Sequence, residues 1–115
     1  MSIEFVLLHP EGRLEFATAD SRELIGAIKK LVPDATPRQI GPLMMWDADT
    51  YTAEMPYNPV TEAVVGQGIG YYPGHDWRGP CVITMAEHMG LIPTLSEEMR
   101  DRIIQWAAPA VERRS

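Results

Sequence analysis

Basic residues, cysteines and long apolar runs are all scarce in this chain, and each scarcity removes a class of function. Ten Lys and Arg stand against sixteen Asp and Glu, a formal net charge of −6 with an isoelectric point near 4.9. The basic residues are scattered, so no cationic stripe can displace counterions from a phosphate backbone, and direct DNA or RNA binding is not expected. Cys81 is the sole cysteine. It excludes an internal disulfide, and its place in an apolar run suggests an inert packed thiol in a reducing, cytoplasmic setting. No apolar run approaches the roughly 18 residues of a bilayer span, and Met1-Ser2-Ile3-Glu4 lacks the basic region of a signal peptide.

What is present suits one domain over residues 1–115, with 111–115 as a frayed polar tail. A chain of this length buries roughly two thirds of its unfolded surface, enough to hold a core without metal or disulfide. The densest signals lie between Asn58 and Met85. Asn58 followed by Pro59 is a helix start, because the amide side chain caps the first turn and proline's missing N–H needs no partner there. Val60, Ala63, Val64 and Val65 form its apolar face, and Gly66, Gly68 and Gly70 end it. Beyond the loop at 71–78, the β-branched run Pro80 to Met85 predicts a strand buried on both faces, near the sheet centre.

Upstream, Ile3 to Leu7 and Leu14 to Phe16 alternate around the turn His9-Pro10-Glu11-Gly12, which predicts a β-hairpin. Asp20 with Glu23 resembles a capping box, and Leu24, Ile28 and Leu31 keep helical spacing until Pro33. Residues 34–42, with Pro37, Gly41 and Pro42, read as a connector. Leu43 to Trp46 predicts a strand, and Tyr51 to Ala53 a returning partner after the Asp47-Ala48-Asp49 turn. Thr94 with Glu97 makes a second capping box, followed by Leu95, Met99, Ile103 and Trp106 on one helical face before Pro109. The order β-β-α-β-(β)-α-β-α predicts an α+β two-layer sandwich, a mixed sheet of four or five strands under about three helices.

Residues able to carry chemistry do not assemble into a recognisable motif. The Gly66-x-Gly68-x-Gly70 spacing follows a helix, whereas phosphate-cradling loops precede one, so it favours helix termination over nucleotide binding. His75, Asp76, Glu87 and His88 have metal-donor chemistry but no ligand spacing, and neither a metal nor another cofactor is expected. Asp47 and Asp49 could divide acid and base roles, but read more simply as a turn. No serine, threonine or cysteine is placed beside a base as a triad would require. The strongest candidate is the loop Tyr71, Tyr72, His75, Asp76, Trp77 and Arg78, which offers ring stacking, cation–π contact and hydrogen bonding together. The competing reading is that Tyr72 and Trp77 fold back to cover a sheet edge.

The stretch WDADTYTAEMPYNPVTEAV followed by WRGPCVITM resembles domain of unknown function 3846, a small family of actinobacteria, their plasmids and their phages. Asp47, Asn58, Pro59, Gly79 and the Cys81–Met85 strand occupy the places of that pattern, and LLHPEGRLEF fits its opening hairpin loosely, while LVPDATPRQIG departs from it. The resemblance implies an accessory protein of a mobile element or its host and carries no catalytic residues. The reading is therefore a small non-enzymatic protein that binds a protein partner, without a membrane. Alternatives are a protein that sequesters a small ligand or nucleotide by stacking it on Tyr71, Tyr72 and Trp77, and a metal-dependent hydrolase using His75, Asp76 and His88. Partner identity, oligomeric state and the exposure of the loop are not encoded in any motif.

Overall fold

The computed structural model describes residues 1–112. β1 (Ser2–His9) and β2 (Arg13–Asp20) pair antiparallel from Ser2↔Asp20 to His9↔Arg13. Gly12 turns the chain between them at φ 96°, donating its N–H to the His9 carbonyl at 3.0 Å. α1 (Leu24–Leu31) follows. Asp20 Oδ1 accepts the Arg22 N–H at 3.0 Å, an Asx turn ahead of the helix, and the cap position falls to Glu23, whose side chain makes no cap bond, so the expected Asp20–Glu23 box does not form. Leu24 and Ile28 are buried as their spacing predicts, while Leu31 stays 39% exposed and Val32 replaces it in the core.

β3 (Ala35–Ile40) and β4 (Leu43–Ala48) form a second antiparallel hairpin about Gly41 and Pro42. This corrects two sequence expectations: residues 34–42 supply a strand rather than a connector, and 51–53 do not return as one. Pro37 is tolerated because β3 lies at the sheet edge, where a missing N–H breaks no ladder. α2 (Pro59–Thr61) runs directly into a π-helical segment, Glu62–Ile69, then come β5 (Cys81–Met85) and α3 (Glu97–Glu112).

The sheet order is β2-β1-β5-β4-β3, and every pairing is antiparallel, so the α+β class and the five strands stand while the sheet is not mixed. β5 takes the central place, with Cys81 to Thr84 buried. The helices divide between the faces rather than sharing one. Ile3, Phe5, Leu7, Trp46 and Val82 pack with Leu24 and Ile28 of α1 and with Val32 just beyond it. Val6, Leu8, Met45, Cys81 and Ile83 pack on the opposite face with Val60, Val64, Met99 and Ile103. Strand alternation produces this directly, because β1, β4 and β5 carry apolar side chains on both faces and each face needs its own cover.

At the C-terminal end Thr94 is not the helix cap. Its Oγ1 accepts the Glu4 N–H at 2.8 Å and Leu95 donates to the Glu4 carbonyl at 3.1 Å, which fixes the chain against β1; Ser96 Oγ caps α3 by accepting the Met99 N–H at 3.1 Å. α3 continues past Pro109, with Ala110 buried and Val111 half-buried against the core. Of the expected frayed tail, 111–112 are thus helical and 113–115 lie outside the described residues.

Candidate functional site

The region from Asn58 to Arg78 is organised by two polar side chains. Asn58 is fully buried: its Oδ1 accepts the Thr61 N–H at 3.0 Å, and its Nδ2 donates to the carbonyls of Leu8 at 3.0 Å and Gly79 at 2.8 Å. One amide thereby starts the helix and ties it to β1 and to the entry of β5. Glu62, one turn on, gathers the following loop, accepting the Gly74 N–H at 3.0 Å and the Trp77 indole N–H at 3.2 Å.

That arrangement decides where the predicted binding residues sit. Trp77 is 1% exposed, anchored by Glu62 below and stacked near Tyr71, the ring centroids 6.3 Å apart at 28°. Its indole is a core element and is unavailable for stacking a ligand, so Trp77 follows the fold-back reading and leaves the set of candidate binding residues, whereas Tyr72 does not fold back. Tyr71 is half-buried, while Tyr72, 67% exposed at φ 46°, and His75 and Asp76 face solvent. Arg78 is pinned by Asp76 at 2.7 Å and the Met55 carbonyl at 2.9 Å. Beside them lies a shallow, open cleft of about 400 Å³ lined by Tyr51, Thr52, Ala53, His75, Asp76 and Arg78.

The glycines of this stretch are not equivalent. Gly70 ends the π-helical segment in the left-handed region, at φ 84°. Gly66 and Gly68 lie inside that segment and serve close approach, since a Cβ at Gly66 would fall 2.7 Å from the Glu62 carboxylate and one at Gly68 would fall 2.5 Å from Trp106.

Asp47 is not a turn residue; it ends up in β4, nearly fully buried, accepting from Arg38 at 3.3 Å and from the Tyr51 hydroxyl. Asp49 is exposed, so the two carboxylates do not share a site. Partial burial opposes the Arg38 charge, but Asp47, Tyr71 and Tyr51 outweigh it and hold the guanidinium above its ordinary pKa. Burial, then Asp47, raises the Tyr51 phenol, and burial, then Asp47, raises the Cys81 thiol, so Cys81 is held as the un-ionised thiol. This cluster locks the loop after β4 to the sheet. His75 and Asp76 lie before β5 and Glu87 and His88 beyond its far end, and among the described residues no three His, Cys, Asp or Glu side chains are grouped to hold a metal ion.

The feature that sequence reasoning passed over is the turn after β5. His88 and Leu91 exchange both backbone hydrogen bonds, at 2.7 and 3.1 Å, closing a two-residue loop with Met89 at φ 53° and Gly90 at φ 81°. Positive φ at both central positions is the type I′ geometry, which favours Asn-Gly; methionine there costs on the order of 1 kcal/mol. Met89 is 89% exposed and Leu91 71%. Between this turn and α1 runs a groove of about 280 Å³ lined by Ile3, Leu24, Ile25, Leu91 and Ile92, with Glu87 at its margin. Asp20 and Glu23 line an adjoining depression together with Arg22. The sequence signal was available as a residue-glycine pair, Met89-Gly90, closely following a strand.

Comparison of the chain with protein-family models, curated proteins and solved structures finds no match. Among the described residues, no helix is long and apolar enough to cross a membrane.

Proposed function

We propose that this chain is a small non-enzymatic accessory protein that acts by binding a protein partner, and that the partner lays a basic segment with one apolar face into the groove between α1 and the Met89-Gly90 turn. The observation that carries the reading is Met89. A bulky apolar side chain is held in a disfavoured backbone conformation and shown to solvent, where Asn or Gly would relieve the strain, and strain of this kind is retained where a site uses it. Leu91 and Ile25, both exposed, line the groove beside that turn and make it apolar, the usual mark of a protein interface. Glu87, Asp20 and Glu23 stand against Arg22 and the Met1 ammonium, which lies 3.4 Å from Asp20, and the net acidic margin that Glu87 and Glu23 leave complements Lys and Arg on the partner. The locked Asp47 and the un-ionised Cys81 support a non-enzymatic role, and the resemblance to domain of unknown function 3846 supports the mobile-element setting.

The cleft beside His75 and Arg78 favours a second reading, in which Tyr72, His75, Asp76 and Arg78 hold a small polar ligand. One experiment separates them. The isotope-labelled chain is titrated by NMR with an amphipathic Leu/Lys peptide and with its Leu/Glu counterpart. Shifts at Ile25, Glu87, Met89 and Leu91 with the Lys peptide alone, lost in Met89→Asn, support the groove. Shifts confined to Tyr72, His75, Asp76 and Arg78 would transfer the site to the loop, and none at all would overturn the proposal.

A further inference from the structure

The two edges of the sheet differ in what they offer a neighbour. The Ser21 N–H donates to the Met1 carbonyl at 2.9 Å, directly extending the β1–β2 register. Because antiparallel bonding alternates along a strand, Arg13, Glu15, Ala17 and Ala19 bond β1, while the N–H and C=O of Leu14, Phe16 and Thr18 point away from the sheet. On β3 the Asp49 N–H donates to Asp34 at 3.1 Å, so Ala35, Pro37 and Gln39 face outward there. That edge is closed. Ala35 already donates to the Val32 carbonyl at 3.1 Å and Pro37 has no N–H, leaving Gln39 as the sole outward donor of the strand.

β2 carries no such device. Its pairing with β1 runs through all eight residues without a bulge, and it holds no Pro, Gly or Lys. Leu14 and Phe16 pack only partly into the core beneath α3, with the Arg100 guanidinium 4.3 Å over the Phe16 ring.

We infer that two copies of this chain pair edge to edge through β2, antiparallel about a two-fold axis at Phe16. In that register Phe16 meets Phe16 of the second copy and Leu14 meets its Thr18, so every outward N–H and C=O of the three residues finds a partner. On the opposite face Arg13 lies across from Ala19 and Glu15 across from Ala17, which places no like charges directly opposite and gives each long side chain a small neighbour. Each Arg100 keeps its own counter-charge in Glu4, at 3.6 Å. The inference is independent of the groove at Met89, which lies by α1 on the other face.

Sedimentation equilibrium and amide hydrogen exchange on the full chain test it. Dimer formation with rising protein concentration is expected, accompanied by slowed exchange at the Leu14, Phe16 and Thr18 amides, and both should be lost in Thr18→Pro. A monomer at every concentration, or a dimer in which those three amides still exchange freely, would overturn it. The exchange measurement on the unaltered chain decides the matter even where the proline variant fails to fold. Protection of the same amides by a strand from another protein, with the chain itself monomeric, would count equally against self-pairing.

Discussion

Gly68 and Trp106 are in contact so close that a single added carbon does not fit: a Cβ on Gly68 would lie 2.5 Å from the indole Cγ. The π-helical segment and α3 meet at this point, and the glycine is present for the sake of the tryptophan. Gly68→Ala should therefore destabilise the fold by about 1–3 kcal/mol through overpacking. Gly26, inside α1 with nothing within 4 Å of its Cβ position, provides the contrast, since Gly26→Ala should stabilise by about 0.5–1 kcal/mol from helix propensity alone. Urea midpoints of the two variants, moving in opposite directions, check both statements.

Asn58→Ala removes a helix cap and leaves the buried carbonyls of Leu8 and Gly79 without their donor. A loss of about 3 kcal/mol or more is expected, well beyond the ~1 kcal/mol of an exposed cap. Asn58→Asp should behave nearly as badly, because a carboxylate keeps the cap acceptor and cannot donate. Chemical denaturation of both variants provides the measurement.

Trp77→Ala should cost about 3–5 kcal/mol, as for other buried aromatics, whereas Tyr72→Ala should change stability by no more than about 0.5 kcal/mol. Thermal or urea unfolding separates them. Equal small effects would return Trp77 to the surface.

Alkaline pH should unfold the protein through Cys81 and Tyr51. Both groups have folded pKa values raised above the ordinary 9.0 and 10.0, so the folded state binds their protons more tightly. Their contribution is complete below about pH 9, where both are protonated in either state, and is lost as pH climbs beyond those ordinary values. Tyrosinate absorbance from Tyr51 and reaction of Cys81 with a thiol reagent should both appear together with loss of the fold, not before it. Early reaction of Cys81 at neutral pH would contradict its burial.

What could be read from the sequence was whatever depends on neighbours along the chain. The β1–β2 hairpin, the Asn58-Pro59 helix start and the buried central strand β5 each rest on spacing within about ten residues, and the structure contains them. β3 was hidden because whether Pro37 is allowed depends on which side of the strand its partner lies, a tertiary fact. Gly66 and Gly68 read as terminators because the groups beside them, the Glu62 carboxylate and above all the Trp106 indole, are placed there by packing that local spacing does not encode. The burial of Trp77 depends on Glu62, fifteen residues away, which accepts the hydrogen bond of its indole N–H. Met89 is hidden for a different reason: nothing local to a Met-Gly pair reveals that the methionine takes a positive φ and stays exposed.

The position of β5 also governs the order of assembly. The two hairpins, β1–β2 and β3–β4, are not neighbours in the sheet and are bridged there by a strand that comes after both in the chain. During synthesis neither hairpin can find its permanent neighbour until residue 85 has left the ribosome. Completing the sheet therefore depends on pairings of long sequence separation, of the kind that slows folding relative to a sheet built from hairpins alone.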